Sequence, residues 1–350
     1  MCIIEEKRLL ILTWGLLLAL LISMAFAAGI GSVSIGLGSV WKIISFKVLG
    51  LGNIDSIPLP LVDIVWDIRI PRVILAAIVG SGLALSGVIM QAAVQNPLAE
   101  PFILGIASGA SVGAVGTILI GSMVIIPGFA LGVAGGAFVG AILATIGVLL
   151  LAGIRQKMST VRLILAGAVV SALCSALSNF IIYMAGDAEG IQSAAFWTMG
   201  SLADAKWSGL LLPLVIVAVM AIYFLSQIRV LDTLLLGEDV ALTLGIDAMQ
   251  KRRIYMACIA LLTGVLVSQC GIIGFVGLVI PHMMRSFTGA SHRKLLPVVI
   301  LFGAIFLVLA DLVSRVILPS GDLPIGIITA LMGAPLFMKL LFGKSTNFGG

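Results

Sequence analysis

Three arginines stand at the borders of apolar runs. Arg69 and Arg72 flank Pro71 in "WDIRIPRVIL" (66–75), and Arg315 lies in "LADLVSRVILPSG" (309–321). A guanidinium is a rigid planar fork that pairs with a carboxylate through two points. Three of them in related positions suit recognition of an acidic partner better than the simple snorkelling of a charged tip to water. Little else in the chain suggests chemistry. Paired carboxylates and a Ser/His/Asp arrangement are absent, and Cys2, Cys174, Cys258 and Cys270 are scattered without metal spacing. His282, in "CGIIGFVGLVIPHMMR", has no second ligand three or four residues away and reads as a packing residue. "FGKST" (342–346) imitates the end of a phosphate-binding loop, but the glycine required five positions before Gly343 is Met338. An enzyme is not expected, nor a metal site, nor a cofactor held by this chain.

The elements that position the arginines follow from composition. The 350 residues are 61% hydrophobic and 10% charged, with a mean hydropathy of +1.26. A soluble domain carries about 25% charged residues, so this chain belongs in a bilayer, where about 20 apolar residues cross the roughly 30 Å core as a helix. The fold class expected is all-α, a polytopic membrane protein forming one transmembrane domain over 1–350. Apolar runs between breakers give about ten spans: 9–31, 71–93, 102–120, 129–152, 161–185, 207–228, 253–271, 275–288, 295–317 and 324–342. The first follows "EEKR" and is long for a signal peptide, so it reads as a retained span.

An even number of spans puts both termini on one face. With the termini cytoplasmic, fourteen of the basic residues fall inside and six outside: Lys42, Lys47, Arg69, Arg72, Lys206 and Arg315. The excess of basic residues on inner segments selects that orientation. Arg69, Arg72 and Arg315 then share the outer face.

Two connections on the inner side stand out. "QNPLAEP" (95–101) carries two prolines and Glu100 at or near membrane depth, where irregular polar backbone is tolerated when buried or lining a cavity; a pathway or gate element is expected. The segment 229–253 is the one substantial polar insertion, yet "GEDVALTLGI" reads as a short amphipathic helix offering Val240, Leu242 and Leu244 to a cytoplasmic partner. In "GVAGGAFVG", Gly132, Gly136 and Gly140 recur every fourth residue, the spacing for close helix approach.

Several stretches then succeed one another in a telling order: "IRIPRVILAAIVGSGLALSGVIMQAAVQNPLAEPFILGIASGASVGAV", "STVRLILAGAVVSALCSALSNFIIY", "FWTMGSL", "GEDVALTLGI", "GFVGLVIPHMMRSFTGASHRKLLP", "LADLVSR" and "LPIGIITALMGAPLF". Together, from about 66 to 342, they resemble the permease family of type II ABC importers for iron chelates (siderophores and haem) and cobalamin. The resemblance implies ten helices in a dimer, with a second copy or a paralogue, around a central pathway in the cytoplasmic membrane of a prokaryote. Two cytoplasmic ATP-binding subunits would hold the ATP, and an extracytoplasmic binding protein would deliver the substrate. Membrane lipid surrounds such a permease, and no nucleic-acid partner is expected. On this resemblance Arg69, Arg72 and Arg315 face acidic residues of the binding protein; Asn96, Leu98, Ser159 and Thr160 form the cytoplasmic gate; and Met90 and Gln91 border the pathway. Gly237, Glu238, Asp239, Val240, Ala241, Leu244 and Gly245 form the coupling helix for the ATPase. Spans two and seven run in opposite directions, which suggests an inverted repeat of 71–185 against 253–342. A secondary transporter also fits a repeat, but it should carry ionisable residues at its intramembrane site, and Asp311 is nearly the only deep one.

Overall fold

The computed structural model describes residues 2–31, 33–121, 125–126, 129–130, 132–153, 160–318 and 321–342. Among these the regular structure is helical apart from one antiparallel pair of two-residue strands, β1 (Ile125–Ile126) with β2 (Phe129–Ala130). In order come α1 (Cys2–Gly29), α2 (Leu37–Leu49), α3 (Leu59–Asp63), α4 (Ile70–Ala93), α5 (Ile106–Ile120), α6 (Val133–Gly153), α7 (Thr160–Met184), α8 (Ala188–Thr198) and α9 (Trp207–Ser226). There follow α10 (Ile228–Leu234), α11 (Glu238–Thr243), α12 (Ala248–Cys270), α13 (Val276–Thr288), α14 (His292–Val316) and α15 (Ile325–Phe342).

Among the described residues, seven helical stretches are long and apolar enough to cross a membrane. The shorter α5, α13 and α15 stand where further spans were expected. The reason α5 and α13 are short is that each begins inside the bundle. After α4 the chain turns back through 94–105, with a 3-10 turn at Pro101–Leu104, before α5 starts; after α12 it does the same through 271–275 before α13. Gly277, in the first turn of α13, packs on α4 at Leu83 and Gly87, about midway along that helix.

α4 is the central element, lying against α9, α12, α13 and α14. A helix apolar on all sides has no polar face to offer water and belongs in the interior. The stretch 59–93 accordingly has 83% of its most apolar window buried, against 6% for α1. Small residues make the close packing feasible. A methyl group at Gly87 would overlap the Gly277 carbonyl, and one at Gly80 would overlap that of Gly303 in α14. The repeat in α6 works in the same way: Gly136 and Gly140 meet Gly113 and Gly109 of α5, whereas Gly132 faces open space.

The second expected span is longer than its apolar run. α3 continues without a break through a π-helical turn, Ile64–Arg69, into α4. Pro71 has no N–H to donate and its ring crowds the carbonyl four residues back; a π turn widens the ladder at such a point. The widened turn places Arg69 within the helix rather than in a loop before it. Two further helices lie in stretches the apolar pattern left as connections. α2 buries Val40 and Ile43, three residues apart, and α8 is capped by the Asp187 carboxylate accepting from the Glu189 N–H.

Candidate functional sites at the two ends of the bundle

One end of the bundle gathers the three arginines. They are brought together as their positions at helix ends require, but inside the fold, with only 4–7% of each exposed. Arg72 Nε donates to Asp311 Oδ1 at 2.8 Å, and its Nη1 pairs with the Asp322 carboxylate. Arg315, one turn after Asp311 on α14, places Nε 3.1 Å from Asp311 Oδ2. Arg69 donates to the carbonyls of Ala28 (3.1 Å), Gly29 (2.8 Å) and Val33, and Arg315 to that of Ala27 at 3.0 Å. These carbonyls belong to the last turn of α1 and the stretch after it. A helix end leaves its last four carbonyls without partners and carries a partial negative charge, so Arg69 and Arg315 cap α1, Arg315 also pairing with Asp311, while Arg72 is held by the two carboxylates. At this end Trp207 also stacks on Trp66, with ring centroids 4.8 Å apart, and donates Nε1–H to the Trp66 carbonyl. Paired tryptophans suit a membrane–water interface.

The opposite end carries α10 and α11. Arg252, on α12, is buried and donates through Nε to the Ala93 carbonyl at 2.7 Å and through Nη2 to Glu238 at 2.6 Å. It thus ties the last turn of α4 to the first turn of α11. Ala241 is fully buried, while Val240, Leu242 and Leu244 are 40%, 70% and 62% exposed. Gly237 and Gly245, both at positive φ, bound the short helix. The result is a polar segment that displays apolar side chains on a fixed base.

A second tie holds α10 to α14. Asp232 accepts from the backbone N–H of His292 at 2.8 Å, lies 2.7 Å from His292 Nδ1, and accepts from the Ser291 hydroxyl at 3.3 Å. Burial pushes this carboxyl upward, but the hydrogen bonds and charge of His292 outweigh it and hold Asp232 below the usual carboxylate range. A depressed carboxylate contributes stability that is present above its unfolded value, about 3.9, and is lost as pH falls through the lower folded value. Asp232→Asn should therefore speed hydrogen exchange of the α10 amides at neutral pH, and the gap from the native chain should close as pH falls below about 4. An equal gap at both pH values would mean that the carboxylate's charge is not what holds α10.

A helical bundle with buried charge at one end and a short amphipathic helix at the other can be compared with known proteins. The FecCD transport family model matches residues 17–343. The chain belongs to the FecCD transport family. It is 40% identical over 325 residues to the ABC transporter permease protein YvrB of Bacillus subtilis, covering 92% of this chain and 90% of that one. It is 42% identical over 277 residues to the vitamin B12 import system permease protein BtuC of Salmonella typhimurium, covering 79% and 83%. Among solved structures, an inward-facing conformation of a metal-chelate type ABC transporter superposes with a TM-score of 0.79 at 34% identity, over 94% of this chain and 98% of that one. The chain is an ABC-transporter permease of the cytoplasmic membrane.

The remaining residues singled out in the sequence of this FecCD permease fall into two groups. Thr160 donates its hydroxyl to the Val94 carbonyl at 3.0 Å, bringing the start of α7 to the turn after α4. In that turn Asn96 Oδ1 accepts from the Leu98 N–H at 2.9 Å, and Leu98 is exposed. Asn96, Leu98 and Thr160 therefore cluster, while Ser159 lies outside the described residues. Met90 and Gln91, in contrast, are fully buried within the chain. Gln91 Nε2 reaches the Leu278 carbonyl of α13 at 3.4 Å, so both residues pack inside the bundle rather than on a surface between copies. Glu100 has a role the sequence left undefined: its carboxylate accepts from the Phe275 N–H at 3.0 Å. Phe275 is at φ +68, the left-handed region that costs a bulky residue steric strain. Glu100 thus joins the two re-entrant stretches inside the bundle.

Proposed function

We propose that this chain is the membrane-spanning subunit of an ATP-driven importer that receives an iron chelate, siderophore or haem, from an extracytoplasmic binding protein. The arrangement that carries this reading is the apolar display on α11. A membrane protein has no use for exposed leucines on a polar segment beyond the bilayer unless another protein covers them, and Arg252 and Asp232 fix the segment so that it can transmit a push to α4, α12 and α14. We take the end bearing α11 as cytoplasmic and that bearing Arg69, Arg72 and Arg315 as the binding-protein side, in keeping with the charge bias of the connecting segments. Two copies, or one copy and a paralogue, would enclose the pathway, with Asn96, Leu98 and Thr160 at its cytoplasmic constriction. Cobalamin is the second reading, favoured by the 42% identity to the vitamin B12 permease.

The test is co-purification from native membranes, identification of the partner subunits, and reconstitution. Uptake into proteoliposomes of a ferric siderophore, haem or cobalamin should require the ATP-binding partner, the binding protein and ATP on the α11 side. The purified chain alone should hydrolyse no ATP. Hydrolysis by the isolated chain, or uptake driven by an ion gradient without ATP, would overturn the reading.

A further inference from the structure

We propose that Asp322 is an exchangeable carboxylate: it occupies Arg72 in the undocked chain and gives way to a carboxylate presented by the protein that docks on this end, releasing the segment that leads into α15. The inference rests on the docking reading above and adds to it an internal competitor and a route inward.

Arg72 holds two carboxylates of very different freedom. The Asp311 side chain is 1% exposed, lies on α14, and is gripped from its other side by Arg315. The Asp322 side chain is 33% exposed and sits on a turn whose preceding residue, Gly321, is exposed and at φ +107. Only Asp322 can leave without dismantling the core. The guanidinium is itself only 6% exposed, so an incoming acid reaches it by taking the place of the group that covers it. Exchange keeps the buried arginine paired throughout and avoids the penalty of an isolated buried charge.

The charge balance points the same way. Three arginines meet two aspartates. Arg69 and Arg315 are partly compensated by carbonyls at the end of α1. The cluster is still one positive charge in excess, which draws an approaching carboxylate to it, and exchange for Asp322 leaves that excess unchanged. The partner this fits is a protein surface that presents an acidic tip.

The connections of Asp322 give the exchange somewhere to go. Its neighbour Leu323 donates its N–H to the Ser314 carbonyl at 3.0 Å. Three residues on, Ile325 opens α15 and donates to Gly200 at 3.0 Å, and Gly326 donates to Met199 at 3.1 Å. Asp322 is therefore the tether between the end of α14 and the start of α15, and its release changes what holds α15 in place.

Leu323, partly buried beside the tether, is the reporter. In a chain with its four native cysteines replaced, Leu323→Cys is labelled in proteoliposomes with a charged, membrane-impermeant maleimide. For an ion pair of this partial exposure, Asp322→Asn should label roughly fivefold faster than the native side chain, and Asp322→Glu within about twofold of it. A short all-glutamate peptide at low salt should accelerate labelling of the native chain but not of Asp322→Asn, and an all-glutamine peptide should do neither. Gel filtration of each variant verifies that it remains folded. An unchanged rate in Asp322→Asn sinks the proposal, because the carboxylate then holds nothing. A faster rate in Asp322→Asn without any response of the native chain to the glutamate peptide also sinks it, because the tether is then fixed rather than exchangeable. Docking is read separately, as capture of the co-purified binding protein by the native chain and by Arg72→Lys. If the arginine change abolishes capture while the peptide has no effect, docking stands and only the exchange is lost.

Discussion

Asp311→Leu should be among the most destabilising single changes in the chain, lowering its stability in detergent by about 3–5 kcal/mol, the cost of removing one partner from a buried ion pair. Asp311 is fully buried and takes Arg72 on one oxygen and Arg315 on the other. Leucine in its place leaves two buried guanidiniums without their shared counter-charge at the junction of α4 and α14. Arg72→Met should cost a comparable amount. The informative variant is the combination. Replacing both members of a buried pair by apolar groups is often nearly neutral, so Asp311→Leu with Arg72→Met should be less damaging than the sum of the two by more than about 1 kcal/mol, the coupling expected of residues in contact. Arg315 keeps part of the penalty alive, because its carboxylate is lost in either case. Thermal or denaturant unfolding of the four chains in one detergent measures this. Additive effects would mean that Arg72 and Asp311 are held independently, and the cluster would then not be the staple that its geometry describes.

Why this cluster was only half legible in the sequence is a matter of distance along the chain. The arginines announce themselves locally, as charges against apolar runs, and the excess of basic residues on one set of connections places all three at the same end. Their partners do not. Asp311 and Asp322 lie 239 and 250 residues from Arg72, and no periodicity in either segment points to the other. The tie of Asp232 to His292 and the capping of Phe275 by Glu100 are hidden for the same reason. Local signals fared better. The four-residue glycine repeat anticipated how α6 packs on α5, and "GEDVALTLGI" foretold a short helix with apolar side chains on display.

Met90 and Gln91 show what the residues of a membrane protein say on their own, apart from a resemblance. Their place beside a pathway came from the family resemblance and not from any periodicity or spacing in the chain. α4 is apolar on every side, and its glycines let α13 and α14 close upon it, so Gln91 is as buried as its neighbours. The signal that could have placed it was the density of small residues in "GSGLALSGVIMQAA", which fits a helix surrounded by other helices better than one bordering a channel. The π turn before Pro71 carries a similar lesson. Proline marked the start of an apolar span, while the helix itself begins a dozen residues earlier, at Leu59.

Val240→Asp with Leu244→Asp should abolish ATP-driven uptake while leaving the chain folded. Neither side chain belongs to the core, being 40% and 62% exposed, and the contacts that seat α11, Arg252 to Glu238 and the buried Ala241, are untouched. In a complex with the ATP-binding subunit, each apolar side chain would be worth about 1.5–3 kcal/mol when fully buried. A carboxylate brought into the same apolar cleft adds a desolvation penalty. Loss of both contacts amounts to at least roughly a hundredfold in affinity, since every 1.4 kcal/mol is tenfold. Charge contacts along Glu238 and Asp239 could not compensate, because exposed pairs contribute about 0–1 kcal/mol each. Leu244→Met, which keeps volume and apolarity, should retain most uptake. The measurements are recovery of the ATP-binding subunit with the affinity-tagged permease and uptake in proteoliposomes at saturating ATP. Full recovery and full uptake with both aspartates in place would mean that the partner grips another surface, and the exposed leucines of α11 would need a different explanation. Recovery without uptake would place these side chains in the transmission of the stroke rather than in assembly, the outcome expected if the partner also holds the permease elsewhere and α11 carries the motion to α4 through Arg252.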